Sequence, residues 1–199
     1  MLLPLAFLVR IEDTPEHRGW LGRVADDLLA QMQPCGAIRE QLGPLESGQY
    51  APPQTNEAYG TTEASLIQAN GDPACDLLYA TNYAFLGLHE ASTAAGDSRL
   101  QEAEDRLARF LCRIQVRSEA HPYLDGAWMR GFDYERWEYW GSSADAGWGA
   151  WSVESGWMNT WIAAVLAMRR DGWSLFDLAT AERMESTFPA LLKGMLGRH

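Results

Sequence analysis

Asp133, Glu135, Glu138, Asp145 and Glu154 fall within one short stretch of chain, interleaved with Trp128, Trp137, Trp140, Trp148, Trp151 and Trp157. Carboxylates set among indoles suit acid–base chemistry. An apolar, aromatic wall raises a carboxyl pKa and keeps that group protonated near neutral pH. A second carboxylate in a wetter setting then activates water or attacks directly, the division of labour that hydrolysis of a glycosidic bond requires. Glu138, Asp145, Glu135 and Glu154 are the candidate catalytic groups. Trp137, Trp140, Trp148, Trp151 and Tyr139 are candidate platforms, with Asp133 and His121 as polar contacts to a substrate. A sugar ring fits this mixture: its C–H face lies on an indole, its hydroxyls meet Asp, Glu or Asn, and glycine lets the backbone approach. Trp148 and Trp151, flanking Gly149, are better placed as platforms than Trp161, which lies on a helical apolar stripe and is assigned to the core.

The competing reading is packing. Tryptophans build satellite cores in loop-rich regions, and a carboxylate in such a loop is often a buried, hydrogen-bonded pin. The same residues then belong to a non-catalytic glycan-binding or structural fragment. Sugar epimerisation would need histidine as proton carrier, with His89 and His121 as the candidates; the scarcity of histidine favours hydrolysis.

The elements around this stretch read as helices. Thr14-Pro15-Glu16 is a cap, a first-turn proline and an acid, and starts a helix carrying Trp20, Leu21, Val24, Leu28 and Met32. A shorter helix is expected at 36–42, and residues 43–61 read as loop. Residues 63–69 suit a short helix. Gly71-Asp72-Pro73 is expected to open a helix with a wide apolar stripe: Leu77, Leu78, Phe85, Leu86 and Leu88. Asp97 caps the next, with Leu100, Ala103, Leu107, Phe110, Leu111 and Ile114 on one side. Glu102–Arg106 and Asp105–Arg109 are expected as pairs along its other side. A more buried helix followed by a more amphipathic one is the pattern of inner and outer layers. Residues 118–156 break the rhythm, with a short hairpin within 127–140. Helix returns at 157–168, and Ser174 with Asp177 forms a capping box for a last helix. The expected fold is all-α, one helical domain over residues 1–199.

Composition narrows the classes. With 47% hydrophobic and 22% charged residues the chain is globular rather than disordered. A net charge of −11 works against nucleic-acid binding. Cys35, Cys75 and Cys112 are far apart, and Cys75 and Cys112 lie on apolar helical patterns that suggest core positions. His17, His89, His121 and His199 show no metal-ligand spacing. Neither metal nor cofactor is expected, and the ligand expected is a carbohydrate. Residues 1–9 are apolar but too short to span a bilayer and lack a basic leader, so they read as a buried helix in a soluble chain, cytoplasmic by default.

The run from Arg136 to Trp157 (RWEYWGSSADAGWGAWSVESGW), with the helical pairs from about 73 to 190, resembles the late part of bacterial six-hairpin glycosidase-like proteins. The resemblance implies an (α/α) toroid of antiparallel helical hairpins, with a sugar-facing cleft lined by loops before the inner helices and acid and base carboxylates in those loops. It reaches Glu135, Glu138, Asp145 and Glu154 as residues in the appropriate kind of loop. A full toroid has about twelve helices and needs roughly 250–300 residues. The resemblance therefore implies a partial toroid with a long Trp/Gly-rich loop: the C-terminal part of a longer protein, or a half that completes itself with the missing half or with a homo-oligomeric partner.

Overall fold

The computed structural model describes residues 1–41, 66–67, 70–140, 153, 158–178, 186 and 189, and it is mostly helical. Six helices are described: α1 (Leu2–Ile11), α2 (Pro15–Leu29), α3 (Ala80–Ala95), α4 (Ser98–Ile114), α5 (Met158–Asp171) and α6 (Leu175–Leu178). Two short strands, β1 (Ala74–Asp76) and β2 (Gly131–Asp133), pair antiparallel, with Cys75 opposite Phe132.

Local chemistry sets the helix ends. Thr14 Oγ1 accepts the His17 N–H at 3.1 Å, with Pro15 in the first turn, and Asp97 accepts the Arg99 N–H at 2.9 Å at the start of α4. Each cap satisfies a donor the helix leaves open. Asp97 follows the left-handed Gly96, so a turn of two residues folds α4 back against α3.

Helix α3 is the centre. Residues 84–91 are all buried, because α1, α2, α4 and α5 pack around it. Apolar character on every side of a helix calls for this position. Helix α1 turns Leu2, Ala6 and Val9 onto α3. The two helices come close at Gly87, where a Cβ would lie 2.9 Å from the Leu2 Cβ. Helix α4 is one-sided: Leu100, Ala103, Leu107, Phe110, Leu111 and Ile114 are buried, the stripe expected from spacing. Each such leucine contributes roughly 1.5–3 kcal/mol of burial.

Several expectations are corrected. Residues 36–41 form no helix. Gly36 adopts φ +98° and Ile38 bridges back to Met32. Residues 74–76 form a strand rather than the first turn of α3, because β2 supplies their hydrogen-bond partners. Cys112 is exposed, one position past the Leu107–Leu111 stripe, whereas Cys75 is buried. Trp161 is half-buried at the rim of the core, 6.4 Å from the Tyr83 ring. The charges on α4 bind between elements: Arg106 donates to the Gln33 carbonyl at 2.7 Å, and Asp105 accepts from Arg169 at 2.5 Å. The loop expected at 43–61 lies outside the described residues, as do all but two residues of the helix expected at 63–69; those two, Leu66 and Ile67, are buried and not helical. No helix among the described residues is long and apolar enough to cross a membrane.

Candidate active site

The hairpin expected within 127–140 exists, and its tip carries part of the expected site. Asp133 and Glu138 exchange backbone hydrogen bonds at 2.8 and 3.2 Å around residues 134–137. The Asp133 side chain is buried and accepts the Glu135 and Arg136 N–H groups, both at 2.9 Å. Asp133 is thereby committed to the turn. Glu135 and Glu138 are exposed. Arg136 stands between two of these acids, 3.8 Å from Asp133 and 3.9 Å from Glu138.

Trp137 closes the tip at φ +60°, a left-handed conformation that a large residue rarely takes. Its ring meets the edges of Phe132 and Phe110, with centroids at 5.3 and 5.9 Å, and the Arg113 guanidinium lies 4.5 Å over it. Packing and a cation–π contact therefore occupy much of this indole and offset the strained backbone. The half-buried Tyr139 packs on Phe132 and donates its hydroxyl to the Ile114 carbonyl at 2.5 Å. Trp140 is exposed. Trp128 is core: its indole N–H donates to the Leu111 carbonyl at 2.8 Å. His121 lies on an exposed loop, its ring 5.7 Å from that of Tyr123. Asp145, Glu154, Trp148 and Trp151 lie outside the described residues.

A different set of titratable groups converges at the N-terminal end of α3. Three extended segments lie side by side there. The Glu40 N–H donates to the Ala74 carbonyl at 3.0 Å, and the Leu77 N–H donates to the Arg130 carbonyl at 2.7 Å. This brings Glu40, Asp76 and Arg130 together from distant parts of the chain. Asp76 is buried. Its Oδ1 accepts the Leu78 and Tyr79 N–H groups at 2.7 and 3.1 Å, and its Oδ2 lies 3.6 Å from an Arg130 guanidinium nitrogen. Arg130 is itself 2% exposed.

Glu40 is the unusual member. Burial raises its pKa, and the neighbouring Asp76 charge adds to this. Arg130 and a hydrogen bond from the Asp76 backbone oppose it, leaving the value at about 7. Its buried Oε2 finds no hydrogen-bond partner among the described residues. One carboxyl is thus balanced between protonated and ionised, beside another held by a guanidinium and two amides. Environments that treat two neighbouring acids so differently are the usual origin of an acid/base division.

Tyr79 connects this cluster to the surface. Its ring lies 6.0 Å from the Arg130 guanidinium and also lines an open groove of about 210 Å³ with Tyr83, Ala80, Val24 and Leu28. Tyr79 and Tyr83 are 39% and 46% exposed, so aromatic residues reach the surface one step from the acids.

Part of this site was detectable beforehand. Asp76 interrupts the apolar run Ala74-Cys75-Asp76-Leu77-Leu78, and an acid so placed requires a buried partner. Glu40 and Arg130 carry no comparable mark. Among the described residues no group of three or more His, Cys, Asp or Glu is arranged to hold a metal. No known family matches the chain, and no curated protein or solved structure matches it.

Proposed function

We propose that the chain is a carbohydrate-active protein of the partial (α/α) toroid type that cleaves glycosidic bonds, with Glu40 as the general acid and Asp76 as its ionised partner. The reading rests on one observation: two neighbouring carboxyls, the half-buried Glu40 with a pKa of about 7 and the buried Asp76 fixed by Arg130 and two backbone amides. Protonated Glu40 gives its proton to the leaving oxygen. Asp76 stabilises the positive charge that develops on the sugar or activates water. Tyr79 and Tyr83 offer the sugar ring an aromatic wall. The helical context supports the same reading: α3, enclosed on every side, and the one-sided α4 behave as an inner and outer pair, and the acids precede the inner helix.

This moves the proposed catalytic assignment from Glu138, Asp145, Glu135 and Glu154 to Glu40 and Asp76; Asp145 and Glu154 lie outside the described residues. Trp137 and Trp140, both exposed, with Glu135 and Glu138, then suit an outer contact to a glycan. A panel of aryl glycosides and natural oligosaccharides, assayed for released reducing ends, tests the proposal. Glu40→Gln and Asp76→Asn should each lower turnover by about 10²-fold or more. Glycan binding without turnover in the unaltered chain would replace it with a binding module.

A further inference from the structure

The turn after α5 is tied to the centre of the fold by groups that take no part in the Glu40 site. His89, on α3, faces an acceptor at each ring nitrogen: Glu104 Oε1 lies 2.8 Å from Nδ1, and the Trp173 carbonyl lies 2.7 Å from Nε2. A neutral imidazole has one N–H and can satisfy only one of them; the imidazolium satisfies both. Glu104 is buried and also accepts from Ser92 Oγ at 2.8 Å and pairs with Arg169 at 2.5 Å.

The same turn has other ties. Glu90 accepts the Leu175 N–H at 2.6 Å, and Arg10 reaches Ser174 Oγ at 3.1 Å and Asp177 at 3.2 Å. Gly172 and Trp173 form the lip of an open cavity of about 320 Å³, lined also by His89, Glu104, Asp105 and Arg169.

We propose that His89 is a proton-operated latch: its imidazolium holds the Trp173 turn against α3 and α4, and its neutral form releases that turn and opens the cavity lip. On deprotonation Nε2 loses its proton, and the remaining one stays on Nδ1, donated to the Glu104 carboxylate, the stronger acceptor. The Nε2 lone pair then opposes the Trp173 carbonyl oxygen, and the two separate.

The charges around the latch come from every packed element. Glu90 on α3 and Glu104 and Asp105 on α4 favour the imidazolium. Arg169 on α5 shares Glu104 Oε1 with the ring and opposes it. Asp177 beyond the turn is neutralised by Arg10 of α1. Burial of the ring works against its charge. The hydrogen bonds to Glu104 and the Trp173 carbonyl, with the charges of Glu104 and Glu90, outweigh it and hold the pKa above 6.5. The latch is therefore complete below the ordinary value of 6.5 and is lost as pH rises through the raised one.

Hydrogen exchange of the whole chain at about pH 5.5 and about pH 8.5, corrected for intrinsic exchange, tests this. In Glu40→Gln, which removes the separate loss of stability through that carboxyl, amides of residues 172–178 should lose about tenfold or more of their protection at the higher pH. With His89→Gln added to that variant, which keeps His17, His121 and His199, protection of 172–178 should no longer follow pH. If that variant does not fold, the ring nitrogens of His89 in the unaltered chain decide by NMR: both should carry protons at about pH 6. Unchanged protection of 172–178 across this range, or a His89 ring already neutral at about pH 6, overturns the latch.

Discussion

Asn159 holds Trp128 by both edges of its amide: its Oδ1 accepts the Trp128 N–H at 2.8 Å, and its Nδ2 donates to the Trp128 carbonyl at 3.5 Å. A side chain at the start of α5 thus supplies the partner that a neighbouring strand would give, and it fixes the segment leading to Arg130 and β2. Asn159→Leu removes both bonds and leaves half-buried backbone groups open. It should cost about 1–3 kcal/mol, read as a lower midpoint in urea with an unchanged slope.

Glu40 gives a pH signature in stability that does not depend on any substrate. Its folded pKa of about 7 lies above the ordinary 4.5, so the folded state binds the proton more tightly than the unfolded one. Stability therefore falls as pH rises from about 4.5 to about 7, by about 3 kcal/mol in all, and stays lowered above that. Glu40→Gln removes this part of the dependence and leaves the part carried by His89. The variant should match the unaltered chain near pH 5 and melt higher near pH 8, with thermal unfolding at the two pH values as the measurement.

Gly36 sits at φ +98°, and a Cβ there would collide with the Arg106 carbonyl. Backbone on both sides of the clash leaves no flexible side chain to yield. Gly36→Ala should destabilise by about 1–3 kcal/mol or more and weaken the contact of the 36–40 segment with α4. Because that segment carries Glu40, exchange at the Glu40 amide should rise together with the loss of stability.

The helices were largely legible because their signals are local. Thr14-Pro15 and Asp97 announce their own helices, and the apolar spacing of Leu100 to Ile114 names its buried side. Strand β1 escaped notice because its partner, Gly131–Asp133, is far along the chain, and a three-residue strand leaves no periodicity. The candidate site lies elsewhere than the acids that the sequence singled out: the tip residues Glu135 and Glu138 face solvent, whereas Glu40 and Arg130 reach Asp76 only through tertiary folding. His89, Glu90 and Glu104 lie inside buried helical stripes, and their partners are set by tertiary folding that spacing does not identify.

The role given to Glu40 is tested most directly by its dependence on leaving group. With an unaltered chain acting on alkyl glycosides, kcat/KM should fall on the alkaline side with an apparent pKa near 7. Glu40→Gln should lose about 10²-fold or more on those substrates and much less on dinitrophenyl glycosides, whose leaving group needs no proton, and its alkaline fall should vanish. Equal rates for the variant and the unaltered chain on both kinds of substrate, or an alkaline fall that persists in Glu40→Gln, would contradict the assignment.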